Sequence, residues 1–271
     1  MVLSPLFLDF FRRYSTMKTD ELSVKIQDFQ LLSSTNTYAK ENIAFLEDCT
    51  LIAAEEQSAG RGRNGRSWIS PGKEENIYCS FVMKQVSDPF RATIVSSLAV
   101  LSLLEKHIPG GDIFIKWPND IFAGDAKICG VLCECTAQTK DSPLSVIAGM
   151  GLNVNTPQKI LDAIPQKAAS MFSLTGTVFQ RKKLLGELAE YLLKYYINYV
   201  QCGNVVFREW KEKNRVLGKW VELEESTGKR RLVRVKDIAE DGRLYCEEDG
   251  KEFLFSSGDV RLVKNPELFR K

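Results

Sequence analysis

From Leu22 onward the apolar positions switch between a period near two and a period near 3.6, which predicts short strands alternating with helices. "STNTYAKENIAFL" (34–46) starts on an N-cap candidate, Ser34 or Thr35, and carries Tyr38, Ala39, Ile43 and Leu46 at helical spacing. "TLIAAEE" (50–56) and "NIYCSFVMK" (76–84) read as strands. "PFRATIVSSLAVLSLLEKH" (89–107) reads as a buried helix with Pro89 at its start and Pro109-Gly110-Gly111 stopping it. "DIFIKW" (112–117), "KICGVLCE" (127–134) and "LSVIAGMGLNV" (144–154) are strand-like. The last two are nearly continuous in apolar residues, which places them centrally in a sheet. Leu185, Leu188, Leu192, Tyr196 and Tyr199 make Arg181–Val200 a long amphipathic helix, and "VVFREWKEKN" (205–214) follows as another.

Near Val216 the pattern changes to short alternating runs punctuated by "STG", "EDG", "EDG" and "SSG". Turn signals at that spacing predict a small antiparallel β-barrel. The expected organisation is therefore a mixed-sheet α/β (α+β) domain followed by a compact β module, and 271 residues suit one large domain plus a small one.

Charge does not choose a partner: 37 Lys+Arg against 35 Asp+Glu leave a net +2, far from the basic excess of a dedicated nucleic-acid binder. Seven cysteines with no secretory signal read as reduced thiols, which points to the cytoplasm. Cys133 and Cys135 alternate with Leu132 and Glu134, as two side chains on one strand face do, and do not have the spacing of a zinc knuckle. No metal cage and no membrane span are expected. The N-terminal "LFLDFFRRYST" has the composition of a mitochondrial presequence but is short and carries Asp9, so a plain extension is favoured, with mitochondria as the alternative compartment.

Three stretches carry candidate chemistry. In "QSAGRGRNGRSW" (57–68), Gly60, Gly62 and Gly65 spell a dinucleotide-type string, but a strand and not a helix follows it. A mobile anion loop fits better, its glycines letting backbone N–H groups curl round a ligand while Arg61, Arg63 and Arg66 add forked donors. Three like charges predict a loop poorly ordered when empty. A solvated arginine-rich turn is the plain alternative. In "KWPNDIFAGDAKICG" (116–130), the Trp117-Pro118 turn presents Lys116, Asn119 and Asp120, and a hairpin brings Lys127 back to them. Two ammoniums beside a carboxylate suit charge on a transferring carboxyl or phosphoryl group, although a polar hairpin tip would look the same. "GMGLNVN" (149–155) allows close approach to a nucleotide, or marks a turn.

"SSTN" (33–36), "EQSAGRGRNGRSW", "KWPNDI", "KICGVLCE" and "GMGLNVN" occur in the order and spacing of the biotin protein ligases, which this sequence resembles from about residue 26 to 155. The closing "FSSGDVRLV" is similar to the end of that family's C-terminal module. The resemblance implies a biotin/lipoate-type catalytic domain over 26–214, an SH3-like barrel over 215–271 and an extension over 1–25. It implies an enzyme that joins biotin to ATP as biotinyl-5'-AMP, with Mg2+ accompanying the nucleotide, and then biotinylates a lysine of the biotin carboxyl carrier domain of a carboxylase. On that basis Ser34, Thr35, Asn36 and Gln57 hold the ureido ring, and Arg61, Gly62 and Arg63 wrap the carboxylate and phosphate. Arg66 lies beside them, Trp68 packs over the adenylate, and Lys127 activates the biotin carboxyl. Lys116, Asn119 and Asp120 form the adjoining turn, with Asn153 and Arg261 on the nucleotide side. Repressor members carry an N-terminal helix-turn-helix domain. About 25 residues precede the catalytic domain here, so no operator binding is expected. A lipoate-type adenylating ligase is the nearest rival, although its loop lacks this arginine pattern. An RG-loop nucleic-acid module is the rival from another class. Monomer and homodimer both remain open.

Overall fold

The structure, a computed structural model, describes residues 23–69, 75–84, 86, 88–136, 144–225, 228–256 and 258–263. The presequence reading lies outside these residues.

The sheet-forming elements of the larger part are β1 (Lys25–Leu32), β2 (Thr50–Gln57), β3 (Asn76–Met83), β4 (Ile113–Lys116), β5 (Asp120–Ala123), β6 (Ala126–Cys135) and β7 (Val146–Asn153). They form one sheet of order β1-β2-β3-β7-β6-β5-β4. The β1–β2 pair is parallel and the other neighbours are antiparallel. Between the strands run α1 (Thr35–Glu41), α2 (Pro89–His107), α3 (Gln158–Leu161), α4 (Met171–Thr175) and α5 (Arg181–Glu212).

Strand alternation divides the sheet into two faces with different work. On β7, Val146, Ala148, Met150 and Leu152 join the main core with the buried sides of α2 and α5. Ile147 belongs to a small cluster with Ala39 and Leu46 on the opposite side. By the same alternation Gly149, Gly151 and Asn153 share the face of Ile147, and the absence of side chains at the two glycines leaves that face hollow. On β6, Cys133 and Cys135 pack against the main core, on one face as their spacing predicts, and burial pushes the Cys133 thiol up to about 12.

Helix α2 begins where its sequence predicts. The Asp88 side chain accepts from Phe90 N–H at 2.9 Å, and Pro89 fills the first turn, where its missing N–H costs nothing. Helix α5 is broken at Cys202 (φ −144°, ψ 56°), so it comprises the two helices expected from the sequence, the second burying Val206 and Trp210. Trp210 Nε1 donates to Ser97 Oγ at 2.9 Å, tying α5 to α2. At the start of α5 the buried Arg181 binds Asp28 through both forks and donates to the carbonyls of Ala54 and Asn76, pinning β1, β2 and β3 together.

Two local expectations are corrected. The helix read over 34–46 ends at Glu41. Asn42 caps it, its backbone N–H and its side-chain amide both donating to Tyr38 O, and the chain then turns so that Leu46 is buried while Phe45 is exposed. Residues 120–123, read as part of a hairpin tip, form the strand β5.

The C-terminal module is a five-stranded antiparallel sheet of β8 (Trp220–Glu224), β9 (Arg230–Ile238), β10 (Leu244–Glu248), β11 (Lys251–Phe255) and β12 (Asp259–Leu262), in the order β11-β10-β9-β8-β12. Its buried Val221, Val233, Val235, Leu244 and Cys246 continue the main core. Trp117 Nε1 donates to Gly242 O at 2.8 Å, and the Trp117 and Phe255 rings lie 6.0 Å apart, so the module is docked beside the "KWPND" turn.

Candidate active site

The hollow face of the sheet is the floor of a cleft of about 790 Å³. Three rows of residues in register cross it. In the first, Tyr78, Gly151 and Gly130 lie side by side on β3, β7 and β6. The Trp68 ring rests here, so close that a Cβ on Gly151 would stand 2.4 Å from Trp68 Cε2. In the second row are Ser80, Gly149 and Leu132, and Asn36 lies on them, with a Cβ on Gly149 falling 2.3 Å from Asn36 Oδ1. The third row is Val82, Ile147 and Glu134, where the floor closes. Thus the glycines of "GMG" are required by the close approach of two side chains.

The polar end of the cleft is built at the N-terminus of α1. Ser34 caps the helix, its side chain accepting from Thr37 N–H. Gln57 Oε1 accepts from Thr35 N–H at 2.9 Å and from its hydroxyl at 3.3 Å. Ser80 Oγ lies 2.7 Å from Thr35 Oγ1 and 2.6 Å from Asn36 Oδ1. Asn36 Nδ2 donates to Leu132 O and to Glu134.

The cationic end comes from the arginine loop and the two hairpins. Lys127 Nζ is 2.7 Å from Asp120 Oδ1 and 5.5 Å from the centre of the Trp68 ring. Lys116 Nζ lies 4.6 Å over the Phe122 ring. Burial pulls the Lys116 ammonium below the ordinary lysine range against the attraction of Asp120, and Lys127 pushes in the same direction as burial. Asn119 accepts from Arg63 at 2.9 Å. Asn153, which lines the cleft, spends its amide on Ala169 O, holding the segment 164–168 against the mouth. Arg261 reaches the rim from β12, 3.9 Å from Glu224 and largely exposed.

The loop folds as a turn: Arg61 bridges to Ser67, Gly62 N–H donates to Arg66 O at 2.7 Å, and Trp68 N–H donates to Gly60 O at 2.9 Å. The repulsion inferred from three arginines is offset because each finds a different partner, Glu134 for Arg61, Asn119 for Arg63 and Asp259 for Arg66. The Gly62 N–H is spent inside the loop, so the arginine forks are the donors that face the cleft. Asp259 is held below the usual carboxylate range by its bond to Arg66. For Glu134, burial alone would raise the carboxyl, but hydrogen bonds from Lys40 and Asn36 and the charges of Lys40 and Arg61 outweigh it, and the net shift is downward.

The residues to which the resemblance gives a site role, from Ser34 to Arg261, line this one cleft, whereas Gly60 and Gly65 of the loop do not. Three participants were missed. Ser80 had a signal, since it alternates with the buried apolar residues of β3. Glu134 stood inside a quoted motif without a role, and Asp259 is recognisable only through Arg66.

Comparison with known proteins agrees with this geometry. Residues 29–153 match the model of the Biotin/lipoate A/B protein ligase family. The chain is 28% identical to the biotin–[acetyl-CoA-carboxylase] ligase of Mycobacterium tuberculosis, over 79% of each chain. It is 26% identical to the bifunctional ligase/repressor BirA of Escherichia coli, over 86% of this chain and 72% of that one. Among solved structures, the biotin protein ligase of Aquifex aeolicus in complex with biotin and ATP superposes with a TM-score of 0.72 at 25% identity, covering 88% of this chain and 98% of that one. The chain belongs to the biotin/lipoate protein ligase family, among its biotin protein ligases.

Proposed function

We propose that the chain is an ATP-dependent biotin protein ligase. It forms biotinyl-5'-AMP with release of pyrophosphate and transfers the biotinyl group to a lysine of the carrier domain of a biotin-dependent carboxylase. The observation that carries this reading is the continuity of the cleft. Neutral amide and hydroxyl groups at one end, Thr35, Asn36 and Gln57 with Ser80 buried behind them, run into the cations Arg61, Arg63, Arg66, Lys116 and Lys127 at the other. A ligand that is uncharged and hydrogen-bonding at one end and anionic at the other fits such a cleft.

In the first step a carboxylate oxygen attacks the α-phosphorus and the bond to pyrophosphate breaks. Two anions must approach one another, so fixed cations in a cleft shielded from water lower the barrier. Lys127 neutralises the biotin carboxylate, and Arg61 and Arg63 hold the carboxylate and the α-phosphate, with Arg66 beside them. Trp68 covers the adenylate, and Asn119, Asn153 and Arg261 serve its nucleotide side. Among the described residues the lining carboxylates Asp120, Asp125 and Asp259 are bound to Lys127, Lys167 and Arg66, so Mg2+ accompanying ATP would be held chiefly by the nucleotide's phosphates and would offset their charge. In the second step the carrier amine attacks the acyl carbon, AMP departs and the amine loses a proton. Asp120, paired with Lys127 at the start of β5, would help hold that amine. A closed loop keeps water from the anhydride.

Among the described residues no helix is long and apolar enough to cross a membrane, and the cytoplasm is the proposed compartment. The test is pyrophosphate exchange with biotin and lipoate side by side. Exchange that requires biotin is expected, and exchange supported by lipoate alone, or by neither, would overturn the reading.

A further inference from the structure

Glu134 stands where the polar pocket, helix α1 and the arginine loop meet. Its Oε2 accepts from Asn36 Nδ2 and from Arg61 Nη2, each at 2.8 Å, and its Oε1 accepts from Lys40 Nζ at 2.7 Å. Its side chain is only 18% exposed. The bond to Asn36 has a directional consequence. An asparagine amide can face either way, but here both of its donors are engaged, one on Leu132 O and one on Glu134. The Asn36 oxygen is therefore the end turned to Ser80, whose hydroxyl donates to it. Gln57 Oε1 is oriented separately, by the Thr35 N–H. With Leu132 O, one carboxylate fixes which end of Asn36 faces the pocket while gripping the first arginine of the loop, 73 residues away in the chain.

On the biotin ligase reading, we propose that Glu134 is a positioning residue that couples the seating of biotin to closure of the arginine loop, through Asn36 on one side and Arg61 on the other. A charge-assisted hydrogen bond is about twice as strong as a neutral one. The isosteric Glu134→Gln variant keeps the shape but not the charge: with its one oxygen on Asn36 and Arg61 it loses the bond to Lys40, and the link to Arg61 ceases to be an ion pair, so the bridge itself weakens.

The experiment measures biotin-dependent pyrophosphate exchange and the rate at which preformed biotinyl-AMP leaves the full-length chain. For Glu134→Gln the KM for biotin should rise about tenfold while the KM for ATP moves less than twofold, and release of the adenylate should quicken about tenfold. General loosening of the fold would not give that split between substrates. Lys40→Gln removes the cation on Oε1 without touching the Asn36–Arg61 bridge, and should leave release within twofold of the wild type. In the double variant Glu134→Gln/Arg61→Gln release should quicken by less than the product of the two single effects, because the single variants share the Glu134–Arg61 contact. The proposal is overturned if the wild type makes the adenylate and Glu134→Gln stays within twofold in both measures. It is also overturned if Lys40→Gln reproduces the full effect. A wild type without biotin-dependent exchange overturns the proposed function, and this proposal with it.

Discussion

The contact between Trp68 and the glycine floor gives a sharp test of what closes the cleft. In Gly151→Ala the new Cβ would lie 2.4, 2.7 and 2.8 Å from three atoms of the indole. Ordinary contact begins near 3.4 Å, so the ring has to retreat by about 1 Å. Toward β6 the room is limited, because Trp68 Cζ3 and the Lys127 ammonium already fill the space over Gly130, where a Cβ would stand 3.0 and 3.1 Å from them. The backbone of Trp68 is held by Gly60 O. Inserting one methyl into a packed contact costs about 1–3 kcal/mol. Here the strain falls on the closed loop, since the three heavy atoms nearest the new Cβ all belong to the Trp68 ring and lifting Trp68 relieves it. The closed population should therefore drop about 5- to 150-fold, and preformed biotinyl-AMP should leave faster by a similar factor, with a shift in melting temperature under about 2 °C. The companion variant is Gly186→Ala, in the second turn of α5, where nothing beyond the helix's own backbone and chain neighbours lies within 4 Å of the new Cβ. It should gain about 0.5–1 kcal/mol from helix propensity and leave release unchanged. Release from Gly151→Ala within twofold of the wild type would refute the reasoning. A fall in melting temperature above about 5 °C would do so as well, by placing the clash in the core.

Lys127→Ala removes the cation beside Asp120 at the cleft's anionic end and should lower biotin-dependent pyrophosphate exchange by about 100-fold or more, near-normal exchange excluding its role. Arg181→Met breaks a nearly buried ion pair and frees two carbonyls. Because Asp28 is a quarter exposed, the cost should sit at the low end for such pairs, about 3 kcal/mol, or about 6–12 °C in melting temperature, and a loss below about 1 kcal/mol would count against it. Asp48 is raised above the usual carboxylate range by burial, against bonds from Lys84, Tyr196 and Cys49. An acid with a raised folded pKa weakens the fold as pH climbs from its unfolded value through its folded one, so Asp48→Asn should melt no lower than the wild type at pH 7, and its relative advantage should shrink as pH falls toward 4. A loss of more than about 1 kcal/mol at pH 7 would show that the charge is needed.

How much of the fold could be read depended on where each element is buried. β7 and α2 announced themselves because nearly every position faces protein, giving long apolar runs. β1 gave no comparable signal because it lies at the sheet edge and exposes most of its residues. β5 is four residues between two turns, too short to show a period. Helix α1 was drawn too long because Ile43 and Leu46 keep helical spacing although the chain turns at Asn42; both reach the apolar cluster from turns. Period reports which residues are buried, and a turn that delivers the same residues to the same cluster leaves the same trace.

The site shows the complementary limit. Its cations and its glycines were legible because they stand together in short motifs, whereas the groups that restrain them come from distant parts of the chain. Arg66 meets Asp259 across 193 residues, and Arg61 meets Glu134 across 73. Reading the loop alone gave three like charges and hence repulsion. In the folded chain the same arginines diverge to β6, to the "KWPND" turn and to β12, so each holds the loop to a different element. Closure of this loop therefore depends on the large sheet, the hairpin and the C-terminal module together. A perturbation of any one of the three should be felt first as faster loss of the adenylate, before any loss of the fold.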